Sequence, residues 1–181
     1  MKYEVVIGLE VHSELKTASK IYCSCTTQFG GEENTHCCPV CTGMPGVLPR
    51  LNEQVVEFCM RAGLALDCEI NRYCRQDRKH YFYPDLPKAF QTSQFDLPIC
   101  IGGHLDVDMG DYTRRVGITR IHIEEDAGKL IHGFGGPRID YNRCGVPLIE
   151  IVTEPDIRSA AEAAAFVENL RAILLYADVS D

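Results

Sequence analysis

Three consecutive carboxylates stand beside a histidine in the segment Ile121–Lys129, which reads IHIEEDAGK. Glu124, Glu125 and Asp126 lie at the end of an alternating run that is typical of a β-strand. Adjacent carboxylates repel one another, and removing them from water is costly unless a cation or hydrogen bonds compensate. Because Mg²⁺ prefers such hard oxygen ligands, the segment is a candidate Mg²⁺ site. The alternative is a solvated acidic turn.

Two further predicted strands carry residues of the same chemistry. In residues 3–15 a period of two places Glu10 and His12 on one face. In the run that ends at 154, Glu150 lies between two apolar neighbours, where an ionised carboxylate is seldom left unpaired. Carboxylates and a histidine from separate strands of one antiparallel sheet could converge on a cavity and hold Mg²⁺ for phosphoryl transfer. For Glu10 and His12 the alternative is a surface pair on an edge strand.

The same period of two separates the three acids of the first segment. Glu124 and Asp126 fall on the face of His122, whereas Glu125 falls on the face of Ile123. If Glu125 is the ligand, we expect a β-bulge or a strand end near it that re-aims its side chain.

Four cysteines have the spacing of a metal site. A CxC pair is followed about a dozen residues later by a CPxC pair, which together supply four thiolates for one tetrahedral Zn²⁺. The predicted ligands are Cys23, Cys25, Cys38 and Cys41. Cys37 could replace Cys38, and the choice follows the CxxC spacing. A closed four-sulfur site is structural and would order the polar loop 22–42.

Ten cysteines without a secretory signal do not indicate a disulfide framework. Apart from the predicted ligands and Cys37, we expect reduced thiols packed as small hydrophobes. These are Cys59, Cys68, Cys74, Cys100 and Cys144.

The composition restricts the class of protein. A net charge of −8 argues against a surface that binds nucleic acid throughout, although residues 72–80 form a local basic patch. No run approaches the length of a membrane span, and the N-terminus has no signal-peptide pattern. We therefore expect a soluble, cytoplasmic protein without a membrane partner. The length predicts one domain over 1–181, or one domain with a small appendage.

The periodicities predict a mixed α+β fold. Helices are expected over 52–66, with Asn52 as N-cap, and after Ser159, which forms a capping box with Glu162. Alternating runs with Gly-Gly and Gly-Asp turns between 97 and 154 predict an antiparallel meander. The basic and aromatic stretch 69–96 is either a loop-borne site for a phosphorylated ligand or a long irregular connection.

Five segments, in this order along the chain, resemble signature segments of the B subunit of the aspartyl/glutamyl-tRNA amidotransferase, the GatB family. They are residues 7–15 (IGLEVHSEL), 38–46 (CPVCTGMPG), 79–88 (KHYFYPDLPK), 123–129 (IEEDAGK) and 141–150 (YNRCGVPLIE). Matches of this length in one order are far more specific than a lone short motif.

The resemblance implies an α+β catalytic cradle related to glutamine synthetase and guanidino kinases, with an antiparallel sheet as its floor. It implies a ligase of protein biosynthesis that uses ATP and Mg²⁺ to phosphorylate the side-chain carboxylate of glutamate mischarged onto tRNA(Gln), or of aspartate on tRNA(Asn). Ammonia from a partner amidase then displaces the phosphate. The implied partners are the A subunit, which is the amidase, the small C subunit, which completes a heterotrimer, and the mischarged tRNA.

The resemblance also implies residue roles. The family's metal-site residues, implied to be catalytic, correspond to Glu10, His12, Glu125 and Glu150. Glu124 corresponds to a ligand of a second ion or of water. The segment that lines the nucleotide and acyl-phosphate region corresponds to Lys79, Tyr83, Lys88 and Ser93. The four zinc-spaced cysteines correspond to a zinc knuckle that some members of the family carry.

The family's protein continues into a helical domain and a tail domain that bind tRNA. These domains are expected to be absent from 1–181, so the stretch alone is expected to be inactive. One alternative is a zinc-stapled docking module with no catalysis of its own, which would bind zinc but neither ATP nor Mg²⁺. Another is a free-standing ligase that acts on a small carboxylate such as free glutamate.

Overall fold

A computed structural model describes residues 2–133 and 135–181. Its elements follow one another along the chain as strands with two helices between and after them. They are β1 (Glu10–Glu14), α1 (Glu53–Ala65), β2 (Glu69–Ile70), β3 (Asp77–His80), β4 (Phe90–Ser93), β5 (Cys100–Ile101), β6 (His104–Asp108), β7 (Thr113–Glu125), β8 (Lys129–Ile131), β9 (Arg138–Asp140), β10 (Pro147–Thr153) and α2 (Ala160–Tyr176).

The main sheet has the order β1-β10-β7-β5-β2, with β6 paired to β7. Every pairing between the described strands is antiparallel, so the predicted α+β class with antiparallel sheets is confirmed. The sheet differs from a simple meander because β10 inserts between β1 and β7. This insertion places the last strand beside the first, and it brings three distant segments together. Position 134, inside the predicted meander, lies outside the described residues.

The core lies on one face of the central strands. Ile121 and Ile123 of β7 and Ile149 and Ile151 of β10 are almost wholly buried there. Helix α1 contacts β7, β5 and β2, and helix α2 contacts β6. Burying such a side chain stabilises the fold by roughly 1.5–3 kcal/mol, so the central strands are held firmly in register. No helix in the described part of the chain is long and apolar enough to cross a bilayer.

Both helices begin where the sequence predicts. The Asn52 side chain accepts a hydrogen bond from the backbone N–H of Gln54, and Ser159 accepts one from Glu162. The second bond of the predicted capping box differs, because the Glu162 carboxylate accepts from the N–H of Arg158 at 2.7 Å rather than from Ser159. The helix is still capped at its first turn.

The predicted first strand, 3–15, is wrong in its extent. Pairing begins only at Glu10, and Ile7 makes an isolated bridge. The pairing with the partner strand β10 ends at Val152, and Thr153 follows it. There Thr153 bonds Leu9 twice: its hydroxyl accepts from the Leu9 N–H at 2.8 Å, and its own N–H donates to the Leu9 carbonyl at 2.9 Å. A side-chain oxygen thus replaces a backbone carbonyl as the acceptor for Leu9, and the backbone ladder ends just before the candidate residues.

The stretch 69–96 contains a hairpin, so the expectation of a wholly irregular connection is wrong for this part. Strands β3 and β4 pair from Asp77 opposite Ser93 to His80 opposite Phe90, and residues 81–89 close the loop. The hairpin packs on the end of β7, where the Gln91 amide donates to the Glu125 carbonyl at 2.8 Å. It therefore covers the sheet face that carries the candidate acids.

Candidate functional site: a carboxylate–histidine cluster and a thiol cluster

The register of three strands aligns the candidate residues in rows across one sheet face. Glu150 of β10 lies opposite His12 of β1 and opposite His122 of β7. Because side chains alternate along a strand, Glu124 lies on the same face two residues after His122. Arg120 lies on this face two residues before His122.

His12, Glu124 and Glu150 form a compact group, which we call the acid–histidine cluster together with His122. The His12 Nε2 atom is 3.3 Å from Glu150 Oε2 and 3.5 Å from Glu124 Oε2. One ligand atom from each of these three residues lies within 4.8 Å of the others, so the group could hold a metal ion. His122 lies beneath it, with Nε2 3.4 Å from Glu124 Oε1 and 3.5 Å from Glu150 Oε2.

The electrostatics of the cluster keep both carboxylates ionised. Burial raises the pKa of Glu124, but hydrogen bonds with His122 and Ser93 outweigh burial and hold the pKa at about 2. The hydrogen bond with His122 likewise lowers the pKa of Glu150 against the effect of burial. Burial lowers the pKa of His122, and its bonds to the two carboxylates raise it overall. Two ionised carboxylates that bond the same imidazole form a suitable binding site for a cation.

A cavity of about 380 Å³ opens over this cluster. Its charged lining contains four acids and three cations: Glu10, Asp77, Glu124 and Glu150, with Arg78, Lys79 and Arg120. The Lys79 Nζ atom is 4.0 Å from Glu124 Oε1. Glu10 is exposed and borders the cavity, in line with its predicted place on the face of His12.

Glu125 lies apart from the acid–histidine cluster. Its carboxylate is buried against Lys88 and accepts a hydrogen bond from the N–H of Thr92 at 2.8 Å. A β-bulge or a strand end was expected near Glu125, and strand β7 does end there. The pairing nevertheless stays regular, with Pro147 opposite Glu125. The strand end therefore does not turn this carboxylate toward His12.

The other predicted site residues divide between these two environments. The Ser93 hydroxyl donates to Glu124, and Lys79 approaches the same carboxylate. Lys88 pairs with Glu125 instead. Tyr83 stacks on Tyr81 with ring centroids 5.8 Å apart and does not line the cavity over the cluster.

Sequence reasoning assigned no role to His122 or Arg120. The signal for both was their period-two spacing from Glu124, which places them on its strand face. A histidine or an arginine in a strand does not by itself indicate a functional site. The register of β10 decides which residues lie opposite these two.

The four cysteines with metal spacing converge as predicted. The sulfur atoms of Cys23, Cys25, Cys38 and Cys41 all lie within 4.8 Å of one another, so this thiol cluster could hold a metal ion. The Cys38 N–H donates to Cys41 Sγ at 3.2 Å, which folds the CPxC turn around the cluster. Cys37 is not a member, and its thiol donates to a backbone carbonyl.

A buried lysine stands beside the thiol cluster. Lys20 is fully buried, with its Nζ 3.7 Å from Cys41 Sγ and 3.4 Å from the carbonyl oxygen of Tyr141. A hydrogen bond from Cys23 lowers the pKa of Cys41 to about 5 against the effect of burial, and the charge of Lys20 adds to this lowering. A cation in this place favours thiolates over thiols.

Four of the five remaining cysteines are buried as expected: Cys59, Cys68, Cys100 and Cys144. Cys74 is exposed, so the prediction is wrong there. It follows β2 in an irregular turn on the surface, where no apolar layer covers it.

The fold and its two ligand clusters define an α+β domain able to hold metal ions at two places. Residues 5–181 match the family described as the GatB/GatE catalytic domain, and the chain belongs to this family.

Curated relatives named as the B subunit of aspartyl/glutamyl-tRNA(Asn/Gln) amidotransferase are similar over the whole chain. The protein of Caldicellulosiruptor bescii is 66% identical over 183 residues, covering 100% of this chain and 38% of the relative. That of Moorella thermoacetica is 62% identical, covering 100% and 39%. That of Brevibacillus brevis is 61% identical, covering 99% and 38%. The chain thus spans well under half the length of these relatives.

Proposed function

We propose that this chain is the catalytic cradle from the B subunit of an aminoacyl-tRNA amidotransferase, a carbon–nitrogen ligase. The observation that carries the proposal is the convergence of His12, Glu124 and Glu150, whose ligand atoms lie within 4.8 Å of one another. The names of the relatives add the substrate class, tRNA charged with aspartate or glutamate.

The proposed reaction has two steps. A side-chain carboxylate oxygen of the mischarged amino acid attacks the terminal phosphorus of ATP, and ADP leaves. Ammonia supplied by a partner amidase then attacks the activated carbonyl carbon, and phosphate leaves with its bonding electron pair. A divalent cation supplies charge neutralisation at the phosphates. The protein's task is therefore to hold and orient charge.

In this proposal His12, Glu124 and Glu150 hold Mg²⁺, with Glu10 at the edge of the same cavity. His122 and Ser93 fix the carboxylates by hydrogen bonds, as supporting residues commonly do for metal ligands. We assign Glu124 the place that family resemblance gave to Glu125, because Glu125 bonds Lys88 on the other side of the strand.

Lys79 is proposed to contact the phosphates, since its ammonium already approaches the cluster at 4.0 Å. For Tyr83 and Lys88 the role near the nucleotide stays a prediction. Tyr83 offers a half-exposed ring, and Lys88 lies in a separate cavity with Glu125.

We propose structural Zn²⁺ for the thiol cluster formed by Cys23, Cys25, Cys38 and Cys41. Four sulfur ligands complete a tetrahedral site and leave no position for a substrate. The loop 22–42 has few buried apolar side chains, so a bound ion would supply the ordering that packing does not.

The wider assignments follow the same proposal. The antiparallel sheet as floor of the site supports a cradle of the glutamine synthetase and guanidino kinase type over 1–181. The proposed partners are the amidase, or A subunit, with the small C subunit in a heterotrimer, and mischarged tRNA in the cytoplasm. The helical and tail domains of the family would bind most of the tRNA.

Calorimetric titration of the purified chain with ATP and Mg²⁺ tests the proposal. We expect Glu124→Gln and Glu150→Gln to weaken Mg²⁺-dependent ATP binding at least tenfold. Glu154→Gln is the matched control, because Glu154 is exposed just beyond β10 and its carboxylate accepts a hydrogen bond from Thr119. If Glu125→Gln abolishes binding and Glu124→Gln does not, the assignment within the site is wrong.

The thiol cluster alone would also fit a second candidate function, a zinc-stapled docking module without catalysis. The same titration separates the two functions. Zinc at one equivalent with no affinity for ATP or Mg²⁺ in the unaltered chain would support the docking module and contradict the ligase.

A further inference from the structure

Arg120 shares a strand face with His122 and Glu124 but takes no part in their bonds. Across the described residues no carboxylate lies within ion-pair distance of its guanidinium, and its buried Nε has no hydrogen-bond partner. Its guanidinium instead contacts the ring of Phe95, whose centroid is 5.2 Å from Cζ. An arginine that is partly buried without an acceptor is costly, unless a ligand supplies one.

Two other arginines of the same strand have acidic partners. On the same strand Arg114 pairs with Glu162, and Arg115 forms two hydrogen bonds with Asp106. Arg120 and Arg78 instead rest on aromatic rings and both line the 380 Å³ cavity over the acid–histidine cluster. The cavity is thus lined both by guanidinium groups that have no carboxylate partner and by ionised carboxylates.

A cavity that carries both kinds of charge fits a ligand that contains a cation and an anionic group. The carboxylates suit a divalent cation, and guanidinium groups suit the oxygens of a phosphate, which they bind through two parallel N–H donors. A ring contact does not use these in-plane donors, so it can hold a guanidinium in place while leaving them free. A metal-bound phosphate chain presents a cation and phosphate oxygens a few ångströms apart.

We propose that Arg120 binds the terminal phosphate of the nucleotide in this cavity, and that Phe95 is the residue that positions the guanidinium. This inference rests on the proposed function. It adds a phosphate-binding residue that neither family resemblance nor the sequence pattern assigned. Removal of Arg120 weakens binding only for nucleotides that carry the phosphate it contacts.

The test is titration of the purified chain with ATP, ADP and AMP in the presence of Mg²⁺, for the unaltered chain and for Arg120→Gln. Loss of a charge-assisted pair of hydrogen bonds predicts about tenfold to hundredfold weaker ATP binding. AMP binding is expected to stay within about twofold. Arg115→Gln, on the same strand but bonded to Asp106 at the surface, is the matched control and is expected to bind ATP normally.

Two further variants separate positioning from folding. Arg120→Lys keeps the charge but loses the paired donors, so its ATP affinity is expected between those of the unaltered chain and Arg120→Gln. Phe95 is largely exposed, so Phe95→Leu leaves the core intact. It is expected to reduce the preference for ATP over AMP, whereas Phe95→Tyr, which keeps the ring, restores it.

The results distinguish this inference from the proposed function. If Arg120→Gln binds ATP normally while Glu124→Gln does not, the inference is wrong and the proposed function stands. Equal losses for ATP and AMP in Arg120→Gln would also overturn it, because they indicate a general disturbance of the cavity. Absence of Mg²⁺-dependent ATP binding in the unaltered chain would overturn both.

Discussion

The thiol cluster and the acid–histidine cluster are assembled in opposite ways. All four cysteines come from one loop of about twenty residues, and two of them share a single turn. The acid–histidine cluster draws on β1, β7 and β10, and His12 of β1 lies more than a hundred positions before Glu124 of β7. The first site is local and three of its four cysteines are only partly buried, whereas the second rests on the central strands of the sheet.

This difference decides what each site needs in order to exist. The loop 22–42 has little apolar surface to bury, so we expect its order to depend on a ligand that links its cysteines. The acids are positioned by β7 and β10, whose alternate residues are buried isoleucines. We therefore expect a metal ion to fold the first site and merely to occupy the second.

The largest expected effect is removal of a thiol ligand. In excess zinc, Cys41→Ser is expected to lower the free energy of unfolding by about 4 kcal/mol, the contribution of a ligand at about a thousand times its dissociation constant. Zinc content should fall from one equivalent to none. Hydrogen exchange should become fast in residues 22–42 while the amides of β7 and β10 stay protected. Cys37→Ser is the control, and an equal effect there would show that the ligand set is wrong.

The second effect concerns the ion pair between the two sites. A cavity of about 420 Å³ is lined by Cys23 and Cys41 and also by Lys88 and Glu125. Lys88→Met leaves the buried Glu125 carboxylate without its cation, and we expect a loss of about 3 kcal/mol in urea unfolding.

The double variant Lys88→Met/Glu125→Gln should recover most of that loss, because it removes the unpaired charge. Lys129→Met, at an exposed position on β8, is the control. If the double variant is as unstable as Lys88→Met, the pair does not act as a unit. If Lys88→Met alone removes Mg²⁺ binding, the two sites are less separate than the geometry indicates.

The two sites also differ in how far the sequence predicts them. The cysteine spacing is enough for the thiol cluster, since its ligands are close neighbours along the chain. The period of two already placed Glu124, and not Glu125, with His122. The identity of their neighbours depends on β10 lying between β1 and β7, a register that no local pattern encodes.

The error at the first strand has the same origin. Alternation in residues 3–15 is regular, yet pairing begins only at Glu10, because the Leu9 N–H bonds the Thr153 hydroxyl instead of a backbone carbonyl. Thr153 lies far along the chain, so the interruption cannot be read from the first strand itself. The sequence did not predict the hairpin over 77–93 either, because its strands are short and carry charged and polar side chains.

A smaller effect tests the electrostatics of the acid–histidine cluster in metal-free protein. The pKa of Glu124 in the folded chain is about 2, below its usual 4.5, so its stabilising contribution is present above pH 4.5 and is lost as the pH falls toward 2. The pKa of His122 is raised above its usual 6.5, so its contribution is present below pH 6.5 and is lost as the pH rises through the raised value.

The difference in unfolding free energy between the unaltered chain and Glu124→Gln should therefore be largest between pH 4.5 and 6.5, at about 2 kcal/mol. Urea unfolding at a series of pH values with a chelator present measures it. Glu154→Gln should show no such maximum. A difference that is constant from pH 4 to pH 8 would contradict the pairing of His122 with the two acids.

The smallest effect concerns the cation beside the thiol cluster. Four thiolates around Zn²⁺ carry a net charge of −2, and the buried ammonium of Lys20 lies 3.7 Å from Cys41 Sγ. Lys20→Met keeps most of the volume of the side chain but removes the charge, so we expect the zinc dissociation constant to rise about tenfold, or about 1.4 kcal/mol. Competition with a chromophoric chelator measures the change. Lys16→Met is the matched control, since Lys16 pairs with Asp178 at the surface. Unchanged zinc affinity in Lys20→Met would mean that the sulfur atoms alone set the strength of this site, with hydrogen bonds from the turn compensating the charge.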